Sequence, residues 1–139
     1  MSFKKILVAL DGSKNSFRAL DESIILAKQT NASITGIFVI QPFPTETGII
    51  KKMFENALNK KRKNFMNIAK SKCKKDKVEF LDVIEFGHEG QKIVSFAEKN
   101  KYDVIVMGYR GRNIIKEAFL GSASHYVVHV TKIPVLIVK

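Results

Sequence analysis

The chain has a single cysteine, Cys73, among 139 residues, so an intrachain disulfide and a multi-cysteine metal site are both excluded. It has no tryptophan and only three prolines. Long apolar runs are missing as well. Lys4 and Lys5 precede five apolar residues, Ile6 to Leu10, before Asp11 stops the run. A secretion signal needs roughly 7–15 apolar residues and a membrane span ~18, so a cytoplasmic protein is expected. Acidic residues are scarce, 13 against 24 Lys and Arg, which gives a net charge of +11. That balance makes anionic partners the first to consider and says nothing about fold. The chain is too short for a closed eight-fold β/α barrel. None of its eight glycines is followed by lysine, which removes the P-loop, and no G-x-G-x-x-G follows the first apolar run.

With 45% apolar residues, the chain can bury a core of its own, and one domain is expected over residues 1–139. Strand and helix patterns alternate along it. Ile6 to Leu10 reads as a strand buried on both faces, and Ser13 as an N-cap. Phe17, Leu20, Ile24 and Ala27 recur at helical spacing, and Ser33 to Ile40 is a second strand. Gln41 to Gly48 carries Pro42 and Pro44 and reads as a loop. Ile49 to about Lys75 predicts a long helix, with Ile50, Met53, Phe54, Ala57, Leu58, Phe65, Ile68 and Ala69 on one apolar stripe and lysines elsewhere. Val78 to Phe86 predicts a third strand, Gly87 and Gly90 a turn, and Gln91 to Asn100 a short helix. Val104 to Met107 is a fourth strand, Ser122 to Thr131 a helix, and Ile133 to Val138 the last strand. Strands separated by helices require crossovers, so the expectation is an α/β three-layer sandwich with a parallel, doubly wound sheet and helices on both faces.

Ligands in such sheets bind beyond the carboxyl ends of the strands, where strand order reverses. Two groups of residues fall there. Asp11-Gly12-Ser13 follows the first strand, and Gly108-Tyr109-Arg110-Gly111 follows the fourth, with Gly121-Ser122 opening the next helix. The second group suits a phosphate. Its glycines allow close backbone approach, its N–H groups can converge, and a helix N-terminus favours an anion. Arg110, Arg112 and Lys116 add positive charge.

Gly108, Gly111 and Gly121-Ser122 fit G-x2-G-x9-G-[ST] without a gap, and in this the chain resembles nucleotide-binding members of the universal stress protein family. The opening strand with its Asp, Asp103 to Gly108, and Ile133 to Val138 resemble other blocks of that family, so the likeness covers the whole chain. It implies a five-stranded parallel sheet of order 3-2-1-4-5 and an adenine nucleotide, ATP or AMP/ADP, with Mg²⁺ or Mn²⁺ held by the phosphates. Carried over by position, Asp11 meets the adenosine, the Val39 backbone and Ala9 lie at the base, and Met107 stands beside them. Gly108, Arg110, Gly111, Gly121, Ser122, Ala123 and Ser124 surround the phosphates. Ala9 stands where several members have Pro, and Tyr109 where Ser or Thr is common. The family also commonly pairs its last strand with a second copy, which implies a homodimer through 133–138.

No residue stands out to orient or deprotonate a water, so the function expected is regulatory nucleotide binding with slow hydrolysis or none. Glu117 reads as solvent-facing and His88 as a turn residue. His125 and His129 share a helix face without a third ligand. For Cys73 two readings compete, a thiol activated by nearby lysines and a bland one. Residues 51–77 hold eleven Lys or Arg against Glu55 and Asp76, so +9 of the net +11 sits on this stretch. A solvated face is the plain reading of it. The alternative function is a nucleic-acid or anionic-surface binding module built on this basic helix.

Overall fold

The computed structural model describes residues 2–41, 48–109 and 120–139. Arg110, Gly111, Arg112, Lys116 and Glu117 lie outside the described residues, as do Pro42 and Pro44. The element order is β1 (Lys5–Ala9), α1 (Lys14–Thr30), β2 (Ser33–Ile40), α2 (Gly48–Lys75), β3 (Phe80–Phe86), α3 (Glu89–Lys99), β4 (Val104–Gly108), α4 (Ser122–Val130) and β5 (Val135–Val138). All strand pairs are parallel, in the order β3-β2-β1-β4-β5. Fold class and strand order agree with the sequence expectation.

β1 lies at the centre, with Val8 level with Gly36 of β2 and Val106 of β4. Its two faces belong to two cores. Ile6, Val8 and Leu10 pack with Leu20 and Ile24 of α1 and Phe65, Met66 and Ala69 of α2. Leu7 packs with Ile93 and Ala97 of α3 and Val127 of α4. A strand covered on both faces has no reason to alternate, which explains its unbroken apolar run. Gly36 is required by packing: a Cβ there would lie 2.7 Å from both Leu10 Cδ1 and Phe80 Cζ, whose side chains cross over it. Inside the second core, the Tyr102 hydroxyl donates to Thr35 Oγ1 at 2.7 Å, which pairs two buried polar groups.

The local signals explain the helix ends. Ser13 caps α1, its hydroxyl accepting from the Ser16 amide at 3.1 Å. His88 is more than a turn residue, because its ring accepts from the Gln91 amide and caps α3. Gly90 belongs to the first turn of α3 rather than to the preceding turn, and a Cβ on it would meet Tyr126 of α4 at 2.6 Å.

The stripe expected on α2 needs correction. The residues buried on this helix are Phe65, Met66, Ala69 and Cys73. Phe65 meets Phe38 edge to face with ring centroids 5.2 Å apart, and Leu58 packs at the border of the core. Ile50, Met53 and Ile68 are more than half exposed. The expected set spans too wide an arc for one helix face: at ~100° per residue, Met53 falls opposite Ala69 and Ile50 more than a quarter-turn from it.

Of the two readings of Cys73, the structure supports the inert one. The thiol is fully buried, and burial, followed by the charge of Asp76, pushes its pKa up to about 11. The lysines of this helix point outward and do not reverse that. Two outcomes follow. Native protein should resist a water-soluble thiol reagent that labels the unfolded chain. Because the unfolded thiol loses its proton first, stability should fall as pH rises from 9.0 towards about 11, and Cys73→Ala should flatten that slope in urea titrations.

Candidate nucleotide site

The order of strands reverses between β1 and β4, so a crevice opens beyond their carboxyl ends. At the end of β1, Leu10 still donates to the Ile37 carbonyl at 2.9 Å, and then the chain turns. Asp11 makes the turn by accepting the Ser13 amide on Oδ1 at 2.9 Å. Gly12 adopts φ +85°, and a Cβ on it would lie 2.9 Å from Phe65 Cδ2. Both backbone shape and the α2 ring therefore demand glycine here. The result is a half-buried carboxylate fixed at the mouth of the crevice.

At the end of β4, Gly108 passes the first turn of α1 so closely that a Cβ would stand 2.8 Å from the carbonyl carbon and oxygen of Asn15. Those are backbone atoms and cannot rotate away. The first glycine of the sequence motif is thus needed for packing, whatever it does for a ligand. Asn15 was not singled out from sequence, since nothing in a helix-turn residue signals the strand that passes it. The Ser124 hydroxyl, also buried, donates to the Gly108 carbonyl at 3.0 Å, so this side chain ties α4 to β4. Gly121 donates to the Tyr109 carbonyl at 3.0 Å, and Tyr109 to the Val138 carbonyl at 2.7 Å. The residues flanking segment 110–119 are thereby brought together. Lys139, another residue missed by the sequence reading, has its Nζ 5.7 Å from the Tyr109 ring centroid and brings a cation to this edge.

α4 opens with Gly121 as its N-cap, without a side-chain cap bond. The first helical hydrogen bond runs from the His125 amide to the Gly121 carbonyl at 2.8 Å. The amides of Ser122, Ala123 and Ser124 precede it and so have no acceptor within the helix. They sit at the positive end of the helix dipole.

The other half of the crevice is apolar. Ala9, Val39 and Met107 lie on the α3–α4 side of three adjacent strands and share one cluster. Met107 is 3% exposed and Val39 9% exposed, so their side chains are core and any ligand contact from Val39 has to be through backbone. The hydrogen-bond phase allows this. Ser33 and Ile37 bond towards β1 whereas Ile34 and Ile40 bond towards β3, so Val39 points its carbonyl to the β1 side. It does so at a level that β1 has left by turning at Asp11 and Gly12.

Other candidates stay apart. The His125 and His129 rings contact one another at a centroid distance of 4.2 Å on the exposed side of α4. Among the described residues no three His, Cys, Asp or Glu side chains group as metal ligands.

With these features in view, the chain matches the model of the universal stress protein family over residues 2–139. The chain belongs to the universal stress protein family. It is 33% identical over 147 residues to universal stress protein YxiE of Bacillus subtilis, covering 99% of each chain. Its structure resembles that of MJ0577, a universal stress protein of Methanocaldococcus jannaschii, with a TM-score of 0.92, 28% identity and coverage of 100% and 97%. More distant likenesses, which speak for the fold, include a universal stress protein in complex with cAMP (TM-score 0.73, 24% identity, coverage 99% and 98%). Another is the Archaeoglobus fulgidus member in complex with dAMP (0.72, 20%, 100% and 100%).

The packing of Gly108 gives a direct expectation. Gly108→Ala should cost about 1–3 kcal/mol of stability in urea unfolding, because strand or helix backbone must shift to admit the methyl group. An unchanged denaturation midpoint would refute the close approach.

Proposed function

We propose that this universal stress protein is an adenine-nucleotide-binding regulatory protein of the cytoplasm, formed by one domain. The observation that carries the reading is the juxtaposition at one crevice of a carboxylate turn, a strand carbonyl turned away from its neighbour, and a helix N-terminus without a side-chain cap. Each suits a different part of the nucleotide. The Asp11 carboxylate can accept from a ribose hydroxyl. The Val39 carbonyl can accept from the adenine amino group. The amides of Ser122 and Ala123 suit phosphate oxygens. The related proteins in complex with cAMP and dAMP support this, since those ligands share an adenine and a phosphate and differ at the sugar. The ligand proposed is ATP, or AMP or ADP.

The residues in roles here bind and orient; none is placed to activate a water. A divalent ion, Mg²⁺ or Mn²⁺, fits poorly as a resident of the protein's own side chains. Among the described residues no set of ligands is grouped for it, and Asp11 already accepts an amide. Such an ion would travel with the phosphates.

Gly121 tests the site without disturbing the backbone, because its φ of −61° and ψ of 156° are open to any residue. Gly121→Val should weaken ATP binding by about tenfold or more in calorimetry, equivalent to ~1.4 kcal/mol, while losing about 1 kcal/mol of stability through the poorer N-cap and still unfolding cooperatively. Unchanged affinity would reject the site. Turnover of ATP at ~1 s⁻¹ or faster would reject the regulatory reading.

The edge strand supports a second element of the proposal. Among the described residues β5 pairs with β4 alone, and Leu136 on it is 41% exposed. Unpaired apolar edges are usually covered, and a two-fold copy of the same strand would do so. Light scattering should give a dimer mass for the native protein, and Leu136→Asp should shift it to the monomer. A native monomer would overturn this.

A further inference from the structure

The outer face of α2 is not the uniform solvated surface its lysines suggest. Ile49 is 77% exposed, Ile50 63% and Met53 64%, and all three lie in the first two turns. On a helical projection they fall within an arc of ~100°, opposite the side that Phe65, Met66, Ala69 and Cys73 bury. The sheet fixes that orientation, so these aliphatic side chains are held outward. Lys52, Lys60, Lys61 and Lys63 are exposed around them, while Glu55 is the one acidic residue of the helix. None of these four lysines forms an ion pair among the described residues, unlike Arg62, which holds Asp82 at 2.7 Å, and Lys72, which holds Asp21 at 2.9 Å. The fold also sets where the patch lies. A crossover helix starts at the carboxyl end of the strand before it, so the beginning of α2 stands at the carboxyl edge of the sheet.

We propose that the first half of α2 docks this protein on anionic bilayers, with Ile49, Ile50 and Met53 entering the headgroup boundary and the flanking lysines meeting lipid phosphates. Charge complementarity selects an anionic occupant, and the aliphatic side chains select a lipid surface among anionic ones. A nucleic acid backbone would use the lysines and leave two isoleucines and a methionine against charged phosphates. A second copy would bring two basic faces together. An interfacial helix combines an apolar strip with a cationic border, which is the arrangement here. The proposal is independent of nucleotide binding.

The test is co-sedimentation of the full chain with phosphatidylcholine vesicles and with vesicles containing one part phosphatidylglycerol in three. Binding should appear with the anionic vesicles only and weaken as salt is raised. Ile49→Ser, Ile50→Ser and Met53→Ser together change only exposed side chains, so the melting curve should hold while affinity for the vesicles drops about tenfold. Lys60→Glu with Lys61→Glu should abolish binding. Equal vesicle binding by the triple serine variant would overturn the proposal, as would absence of binding at low salt. Tighter binding of duplex DNA than of anionic vesicles, kept by the triple variant, would overturn it in favour of nucleic acid.

Discussion

The hydrogen-bonded ladder of β1 with both β2 and β4 is the constraint from which the rest follows. A strand flanked on both edges and covered on both faces has to be apolar throughout, and Ile6, Leu7 and Val8 are fully buried. Such a strand can carry chemistry only where it ends. Its end is forced into a sharp turn by Asp11 and Gly12, and β2 runs on to Ile40, past the level of Ile37 at which β1 ends. The Val39 carbonyl and the end of β4 border the gap so created. A crevice at this place is therefore a consequence of strand order, and the residues lining it are the first ones freed from the sheet.

The fold was legible because its signals were redundant. The strands announced themselves as apolar stretches, except β3, which alternates in part around Asp82 and Glu85; the crossovers showed helical spacing, and the turn after β1 showed Asp-Gly-Ser. The candidate site was legible through the glycine spacing, but that spacing mixed two causes. Gly108 is glycine because Asn15 backbone lies against it, whereas Gly121 sits in a conformation that any residue could take. Sequence cannot separate a glycine required by packing from one kept open for a ligand, since both look like a turn. The Ser124 hydroxyl shows the same ambiguity: read as a neighbour of phosphate, it is bonded to the Gly108 carbonyl. Gly90 and His88 were misjudged for a related reason, because capping and helix contact are properties of the partner element.

The largest misreading concerned α2. A list of apolar residues was folded onto one stripe, although its members point in opposite directions over two halves of the helix. In the carboxyl half Phe65 and Ala69 are buried as the stripe expected, but Met66 and Cys73 join them and Ile68 is exposed. The amino half keeps Leu58 against the core but turns Ile49, Ile50 and Met53 outward. Hydrophobic spacing alone finds a helix and cannot say which of two apolar arcs the sheet will take. The buried one is chosen by Phe65, whose ring fills the space between Phe38 and Gly12.

The same ring connects the basic helix to the turn at the crevice. Phe65 leaves no room for a side chain at position 12, so α2 packs directly over the turn that carries Asp11. The charge of the molecule bears on this as well. Its +9 excess on residues 51–77 is kept at the surface, where lysines remain hydrated, and among the described residues only Arg62 and Lys72 of this stretch bond to acids elsewhere in the fold. Repulsion among these lysines would favour fraying of an isolated helix of this composition. The contact of Phe65 with Phe38 and the ion pairs of Arg62 and Lys72 act against that repulsion by tying α2 to β2, β3 and α1.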